Sequence, residues 1–290
     1  MHASRFEVRV VDSAEMAEDR RRALGIDRDT ARRLGQEAVR FIEQGWYPAP
    51  DGRRVSWADA VEKARSGTVS LPPEARLPSP PATADEVTAM EIANETSLGA
   101  ARRLVASGLR PLVLNMANGV RPGGGFLHGA RAQEEALCRS SALYATLVDD
   151  PMYAAHARRP LPDSTDWAIL SPDVPVFRDD DGAPLGEPWR ASFVTCAAPY
   201  APRVGQPASG DLLEARIERL LRIARGYGYT ALVLGAWGCG AFANDPDRTA
   251  RDVRRHLEDH ADAFEHVVFA ITDWSSERRF LGPFAAAFSA

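Results

Sequence analysis

The chain has 290 residues, which is enough for one large domain or for one domain with an accessory segment. Hydrophobic residues make up 45% of it and charged residues 26%, a globular balance that excludes a fibrous or wholly disordered protein. The net charge of −5 excludes the strong basic field with which many proteins hold nucleic acid non-specifically.

The three cysteines, Cys138, Cys196 and Cys239, lie far apart in the sequence and form no Cys-x-x-Cys pair. This spacing predicts neither a disulfide framework nor a structural zinc site, and it favours a reducing compartment. The N-terminal residues lack the apolar core of a signal peptide, and no apolar run approaches the roughly 18 residues that a membrane span needs. We therefore expect a cytoplasmic, monomeric protein without a membrane segment.

The first 81 residues are predicted to be a helical accessory region. Residues 12–24 are charged and weakly patterned, whereas apolar residues recur at helical spacing over residues 30–44. Ser56 has the sequence context of a helix cap. Five prolines at residues 71–81 then prevent both a helix and a central strand, so the main domain is predicted at residues 82–290.

Strand-like and helix-like segments alternate after this boundary. The strand-like segments are short, apolar and rich in valine, leucine and isoleucine, as is typical of a sheet that helices bury on both faces. Strands are predicted at residues 87–92, 111–116, 167–171, 192–197, 231–235 and 266–271. Helices are predicted at residues 97–107, 133–147, 211–224 and 247–260, and an exposed turn at residues 179–182. The pattern predicts an α/β sandwich.

A glycine-rich loop within residues 115–135 follows one of these strands and leads into a helix. Ligands of open α/β sheets bind at this carboxyl end of a strand, and Gly123, Gly124 and Gly125 would let a phosphate or a sugar ring approach the backbone. The loop has neither the Gly-Lys-Ser/Thr end of a Walker A loop nor a Gly-x-Gly-x-x-Gly pattern. A flexible surface loop is the alternative interpretation.

Glu134 and Glu135 stand side by side at the predicted start of the helix after this loop. Their side chains point about 100° apart on a helix, so one could meet a ligand while the other braces a neighbouring group. The helix dipole favours their ionised forms, and a general acid here would need burial or a nearby anion to raise its pKa. The alternative is that both acids only complement the dipole.

A second glycine-rich loop, residues 235–242, follows another predicted strand. Gly238 and Gly240 can present backbone N–H groups to a diphosphate. Phe242 could offer an aromatic face to a ribose or an adenine, and the alternative is a core phenylalanine under a tight turn.

Pro122-Gly123-Gly124-Gly125, a seven-residue spacer and Gln133-Glu134-Glu135 together resemble the signature of bacterial-type poly(ADP-ribose) glycohydrolases, which are built on a macrodomain. Further segments resemble family segments in the same order, namely residues 94–101, 112–116, 139–144, 171–180, 195–200 and 235–246. The resemblance implies a macrodomain-like three-layer α/β/α sandwich with a mixed central sheet, preceded by a helical N-terminal region.

The family resemblance also implies a glycosidase that cleaves the ribose–ribose O-glycosidic bonds of poly(ADP-ribose) on modified proteins and releases ADP-ribose. Glu135 resembles the general acid, which then acts as the base for water, and Glu134 resembles its partner, which orients the distal ribose. The substrate diphosphate would stabilise the cationic transition state, so the resemblance implies no metal and no cofactor. The implied substrate-binding residues are Asn118, Gly123, Gly124, Gly125, Phe126, Gln133, Gly238, Cys239, Gly240, Ala241 and Phe242.

The signature leaves two other functions open. One is a hydrolase that removes single ADP-ribose units from protein side chains or nucleic-acid bases, although the negative net charge disfavours nucleic-acid substrates. The other is a module that binds ADP-ribose without cleaving it, which would not need Glu135. If the N-terminal region closes the adenine side of the cleft, cleavage would be of the exo type.

Two further candidate sites are disfavoured. His256 and His260 lie four residues apart on a predicted helix, but their surroundings match no zinc-protease motif, so a solvated helix face is the favoured interpretation. Cys239 has no nearby histidine in the sequence to activate it, which argues against a thiol nucleophile.

Overall fold

The computed structural model describes residues 5–80, 87–260 and 262–289, and its centre is one eight-stranded sheet. In chain order the strands are β1 (Phe6–Val11), β2 (Trp46–Pro48), β3 (Arg54–Ser56), β4 (Val69–Leu71), β5 (Thr88–Ala93), β6 (Pro111–Ala117), β7 (Ala168–Arg178), β8 (Pro184–Ala197), β9 (Ala231–Leu234) and β10 (His266–Ala270). The order across the sheet is β1-β5-β10-β9-β6-β8-β7-β4, and β2 pairs with β3 as a separate hairpin.

The sheet is mixed, because β7 runs against its neighbours. Strands β1, β5, β10, β9, β6 and β8 are parallel, whereas β7 pairs antiparallel with both β8 and β4. Successive side chains of β6 enter opposite layers: Leu112 and Leu114 belong to one hydrophobic core and Val113 belongs to the other. Apolar side chains on both faces explain the uninterrupted apolar character of these strands.

Helices cover both faces of the sheet, which confirms the predicted three-layer α/β/α sandwich. They are α1 (Ala14–Leu24), α2 (Arg28–Gln44), α3 (Ala58–Ser66), α4 (Ser97–Ala106), α5 (Gln133–Ser140), α6 (Leu143–Leu147), α7 (Pro151–Ala157), α8 (Ala201–Val204), α9 (Ala208–Gly226), α10 (Pro246–Asp259) and α11 (Leu281–Ser289). Helices α2 to α7 contribute side chains to the core that contains Val113. Helices α9, α10 and α11 contribute to the core that contains Leu112.

The N-terminal region contains strands as well as helices, and the sequence prediction missed them. Strand β1 pairs with β5 at one edge of the central sheet, and the three-residue β4 pairs with β7 at the other edge. Strand β1 does alternate apolar and charged residues, from Phe6 through Glu7, Val8 and Arg9 to Val10, which is a strand signal that the prediction overlooked. Strand β4 has three residues, too few to give such a signal. The division of the chain at residue 81 stays a prediction, and Pro81 lies outside the described residues.

The predicted helix at residues 133–147 is broken into α5 and α6. Ser141 between them has extended backbone angles and forms an isolated bridge to Val176 of β7. The Ser141 hydroxyl donates to the Leu137 carbonyl and accepts from the Leu143 N–H, which caps both helix ends. A break that depends on pairing with a distant strand leaves no local signal in the sequence.

The turn predicted at residues 179–182 exists and joins β7 to β8, but it is not wholly exposed. The Asp180 carboxylate turns inward and accepts a hydrogen bond of 2.5 Å from the Thr96 hydroxyl, just before α4. Both strands of this hairpin extend further than the sequence indicated, to Arg178 and from Pro184.

The buried guanidinium of Arg178 connects the N-terminal region to helix α5. It donates to the carbonyl oxygens of Leu34 in α2 (2.7 Å) and Arg139 in α5 (3.0 Å), and it pairs with the Glu37 carboxylate at 2.8 Å. The guanidinium also lies 4.7 Å from the ring centre of Phe177. Burial lowers the pKa of Arg178 to about 10.

Replacement of this guanidinium should cost far more stability than replacement of an exposed one. Arg178→Ala removes the donor to two carbonyls and to one oxygen of Glu37, whose other oxygen keeps its pair with Arg33, so we expect the free energy of unfolding to fall by about 3 kcal/mol. Arg102, whose pair with Asp179 is half-exposed, is the matched control, and Arg102→Ala should cost less than about 1 kcal/mol. Denaturant unfolding of both variants measures the difference; equal losses would contradict the role of Arg178.

Candidate active site

The two adjacent glutamates lie in the first turn of α5, where the loop that follows β6 folds back over them. Glu134 is 3% exposed, and its Oε2 atom accepts a hydrogen bond of 2.7 Å from the backbone N–H of Asn118. Its Oε1 atom lies 3.4 Å from the side-chain amide nitrogen of Asn115, which also donates to Thr195 at 3.1 Å. Burial, with a smaller contribution from the neighbouring charge of Glu135, raises the pKa of Glu134 to about 8.

Glu135 has one carboxylate oxygen held and one that is free. It is 8% exposed, and its Oε1 atom accepts a hydrogen bond of 2.9 Å from the backbone N–H of Gly125. Its Oε2 atom is buried and has no hydrogen-bond partner among the described residues. A buried carboxylate oxygen without a partner is costly, so this atom is the one that stands ready for a ligand or a water.

The glycine triplet is required by this arrangement. Gly124 has a left-handed φ of +60°, and a Cβ there would lie 2.4 Å from Oε1 of Glu135 and 2.9 Å from Oε2 of Glu134. Gly123 has a φ of +70°, and a Cβ there would lie 2.9 Å from the ring of Phe126. Any side chain at Gly124 would therefore displace both carboxylates.

Two of the implied substrate-binding residues, Gln133 and Asn118, support the loop through their side chains. The Gln133 amide donates to the Ser97 hydroxyl and the Leu114 carbonyl and accepts from the Met116 N–H. The side-chain oxygen of Asn118 accepts the N–H groups of residues 120 and 121, which shapes the turn. These contacts occupy both amide hydrogens of Gln133, so its own role is to brace the start of α5.

The ring of Phe126 packs into the core, and its assignment to substrate binding stays a prediction. Its side chain is 1% exposed and its ring packs against Tyr144, with 4.9 Å between ring centres. From the other side, Gly35 of α2 approaches so closely that a Cβ would lie 2.6 Å from the Phe126 carbonyl oxygen. The aromatic ring anchors the glycine loop into the core because the loop must pass over a hydrophobic layer at this point.

The second glycine-rich loop leaves the sheet beside the first. It follows β9, which pairs in parallel with β6, so both loops emerge from the same edge of the sheet. Gly238 has a φ of +75°, and Asn244 ties the loop together by donating to the carbonyls of Gly238 and Pro199. Gly240 is exposed, and no described heavy atom lies within 4 Å of the place a Cβ would take there.

The remaining residues of this loop divide into buried and accessible ones. Ala241 is exposed, and Phe242 is half-buried with its ring edge-on to Tyr200, 5.8 Å between centres. Cys239 is buried, and burial raises the pKa of its thiol to about 12. A thiol with such a pKa is not a nucleophile at neutral pH, which agrees with the rejection of Cys239 in that role.

A cavity of about 480 Å³ extends from the start of α5 along the carboxyl edge of the sheet. The second glycine loop contributes Ala236 and Gly240 to its wall, and Gln133 contributes from α5. Helix α1 of the N-terminal region contributes Arg21 and Leu24. The cavity therefore connects the loop after β9, helix α5 and the N-terminal region.

The histidine pair on α10 is not a solvated face, which corrects the sequence interpretation. His256 and His260 are largely buried and both contact the Glu218 carboxylate of α9, at 3.1 and 3.0 Å. Within the described ranges no group of three or more His, Cys, Asp or Glu side chains could hold a metal ion. Those ranges also contain no helix that is long and apolar enough to cross a membrane.

Asn115 is the site residue to which sequence reasoning gave no role. It is fully buried near the end of β6 and links Glu134 to Thr195 of β8. A polar residue at the carboxyl end of an otherwise apolar strand is the signal that could have identified it.

Comparison with known proteins gives one consistent result. The family model of the microbial-type PARG catalytic domain matches residues 35–179. The poly(ADP-ribose) glycohydrolase from Thermomonospora curvata is 41% identical over 90% of this chain and 100% of that chain, with a TM-score of 0.82. Its complex with the inhibitor ADP-HPD matches with 40% identity, 89% and 99% coverage and a TM-score of 0.80. The enzyme from Deinococcus radiodurans in complex with ADP-ribose matches with 40% identity, 79% and 96% coverage and a TM-score of 0.71. No curated protein sequence matches significantly.

The raised pKa of Glu134 predicts a specific pH dependence of stability. The folded protein holds a proton on Glu134 up to about pH 8, whereas the unfolded chain releases it near pH 4.5, so rising pH lowers the free energy of unfolding in between. Glu134→Gln should remove this contribution and be relatively more stable at the alkaline end. Thermal unfolding of both proteins across this range measures it; parallel curves would contradict a buried, protonated Glu134.

Proposed function

The chain belongs to the microbial-type poly(ADP-ribose) glycohydrolase family, and we propose that it releases ADP-ribose from the ends of poly(ADP-ribose) with Glu135 as the catalytic acid and base. The observation that carries this assignment is the buried, unpartnered Oε2 atom of Glu135. Its second oxygen is fixed by the Gly125 N–H, so the free oxygen has a defined direction.

The two glycine-rich loops would bind different parts of the substrate, the first the distal ribose and the second the diphosphate. The distal ribose would lie beside Gly124, whose lack of a side chain lets the loop backbone pack against both carboxylates. The diphosphate would run along the backbone of Gly238, Cys239, Gly240 and Ala241, and Phe242 would border the ribose. Complexes of the two relatives with ADP-HPD and ADP-ribose support a ligand of this chemical class.

The reaction needs one proton donor and one water. Glu135 would protonate the oxygen that leaves C1″ of the distal ribose, and the C1″–O bond would break to give an oxocarbenium-like state. The substrate diphosphate would stabilise the positive charge. Water would then attack C1″ while the Glu135 carboxylate accepts its proton, which restores the acid. A protonated Glu134 can donate a hydrogen bond to a ribose hydroxyl and orient the sugar.

The N-terminal region would set the mode of cleavage. Helix α1 contributes to the wall of the cavity, in which the adenosine of ADP-ribose would be enclosed. An enclosed adenosine has no room for a further polymer unit, so cleavage would be of the exo type. A cytoplasmic monomer that acts on ADP-ribosylated proteins stays our prediction.

Glu135→Gln should separate catalysis from binding. We expect release of ADP-ribose from automodified poly(ADP-ribose) to fall by about 10²- to 10⁴-fold, because a carboxamide cannot transfer the proton. ADP-ribose affinity, measured by calorimetry, and the melting temperature should stay close to those of the wild type. Full activity of the variant would refute the assignment of Glu135, and a wild type that binds ADP-ribose without releasing any would identify a non-catalytic module.

Gly124→Ala should reduce hydrolysis much more than an equally strained substitution elsewhere. Gly108 also has a left-handed φ, of +86°, but no described heavy atom lies within 4 Å of a Cβ there, so Gly108→Ala is the matched control. Both variants carry backbone strain of about 1–2 kcal/mol. Only Gly124→Ala displaces the carboxylates, and we expect its kcat to fall about 100-fold. Equal kcat values for the two variants would show that the close approach at Gly124 is irrelevant.

A further inference from the structure

A buried histidine outside the glycine and glutamate signature contacts the loop after β6. In this loop the backbone N–H of Asn118 donates to Glu134. His156 of α7 is 3% exposed. Its Nδ1 atom lies 3.0 Å from the carbonyl oxygen of Gly119. Its Nε2 atom lies 2.8 Å from the hydroxyl of Thr165 and 3.1 Å from the backbone nitrogen of the same residue. Sequence reasoning gave His156 no role, because nothing in the sequence shows that the side chain reaches Gly119.

These partners determine the protonation state of the imidazole. A carbonyl oxygen can only accept a hydrogen bond, so Nδ1 must carry the hydrogen. A backbone N–H can only donate, so Nε2 of His156 must present its lone pair to Thr165. Only the neutral Nδ1–H tautomer satisfies both, and a second proton on Nε2 would face the Thr165 N–H.

The contact between His156 and Gly119 is close enough to position the loop. A Cβ at Gly119 would lie 2.2 Å from the Ser164 hydroxyl and 3.3 Å from Nδ1 of His156, so the loop lies directly against both. The preceding residue, Asn118, gives its N–H to Oε2 of Glu134. The imidazole therefore fixes the backbone next to the peptide group that holds the glutamate.

We propose that His156 is a positioning residue whose neutral imidazole locks the loop after β6 into the shape that holds Glu134, and that protonation of the imidazole releases this lock. The catalytic part of the proposal rests on the proposed function. His156 acts through Gly119 and Asn118 and does not touch the substrate.

The charges around His156 favour its neutral form. Arg159 at the end of its own helix and Arg216 from α9 oppose a positive imidazole, and Asp163 favours one. Asp163 is itself paired with Arg159 through two short hydrogen bonds, and Arg216 lies 3.6 Å from Asp166. Burial is the largest effect and lowers the pKa of His156 below 6.5. The unfolded chain thus takes up the proton first as pH falls, and acid lowers the free energy of unfolding below about pH 6.5.

Two substitutions of His156 distinguish the effect of its hydrogen bond to Gly119 from the effect of its protonation. In His156→Asn the amide nitrogen takes the place of Nδ1 and can donate to Gly119, but the side chain does not titrate. In His156→Gln the longer amide reaches the Thr165 side and leaves the Gly119 carbonyl without its donor. We expect kcat of His156→Gln to be about 10- to 100-fold below that of His156→Asn, with similar KM values, because a buried unpaired group displaces the loop and not the substrate. His128→Asn, at an exposed position of the same loop, is the control for loss of a histidine.

The pH dependence provides the decisive readout. The melting temperature and kcat of the wild type and of His128→Asn should fall more steeply below about pH 6.5 than those of His156→Asn. Equal kcat values for the Asn and Gln variants, or a pH profile of His156→Asn that follows the wild type, would overturn the proposal. If the wild type releases no ADP-ribose, the proposed function fails, and the melting curves alone then decide whether the imidazole locks the loop.

Discussion

The two carboxylates at the start of α5 accept hydrogen bonds from backbone N–H groups of the loop that precedes the same helix. The rest of the site depends on these two hydrogen bonds. Glu134 holds the peptide of Asn118, and Glu135 holds that of Gly125. The loop between these two peptides must pass over the carboxylates, which leaves no space for a Cβ at Gly124. Burial of the pair keeps Glu134 protonated at neutral pH and leaves one oxygen of Glu135 without a partner among the described residues. The same geometry therefore orients both side chains and provides the oxygen that the proposed mechanism uses for proton transfer.

The surrounding structure keeps this loop from relaxing. Phe126 anchors it in the core under α2, whose Gly35 allows the two backbones to meet, and Arg139 donates to the Ala130 carbonyl at 2.8 Å. Arg178 in turn binds the Arg139 carbonyl and the carbonyl of Leu34, so α2 is tied to the catalytic helix. The N-terminal region thus contacts the active-site loop as well as both sheet edges. The sequence of this region does not by itself reveal either set of contacts, because the partners are distant in the chain.

What could be predicted from the sequence was local. The glycines, the adjacent acids and the apolar strands of the sheet are short-range patterns, and the family resemblance extended them to a macrodomain and an activity that agree with the comparisons. The roles of Asn115 and His156 could not be predicted, because each acts through a partner brought close only by the fold. The direction of the Phe126 ring could not be predicted either, because a phenylalanine beside three glycines has the same sequence whether its ring points outward or into the core. Strand β1 has an alternating apolar and charged pattern that the prediction overlooked, whereas β4 is too short, at three residues, to show one.

The proposed mechanism requires a distal ribose beside Gly124 with its C1″ carbon next to the free oxygen of Glu135. A crystal structure of Glu135→Gln with ADP-ribose tests this directly, since the substitution preserves the shape of the side chain. We expect the side chain of residue 135 within about 3 Å of the anomeric hydroxyl oxygen and the diphosphate along residues 238–241. A ribose bound away from residue 135, or a diphosphate that does not contact the loop after β9, would contradict the mechanism.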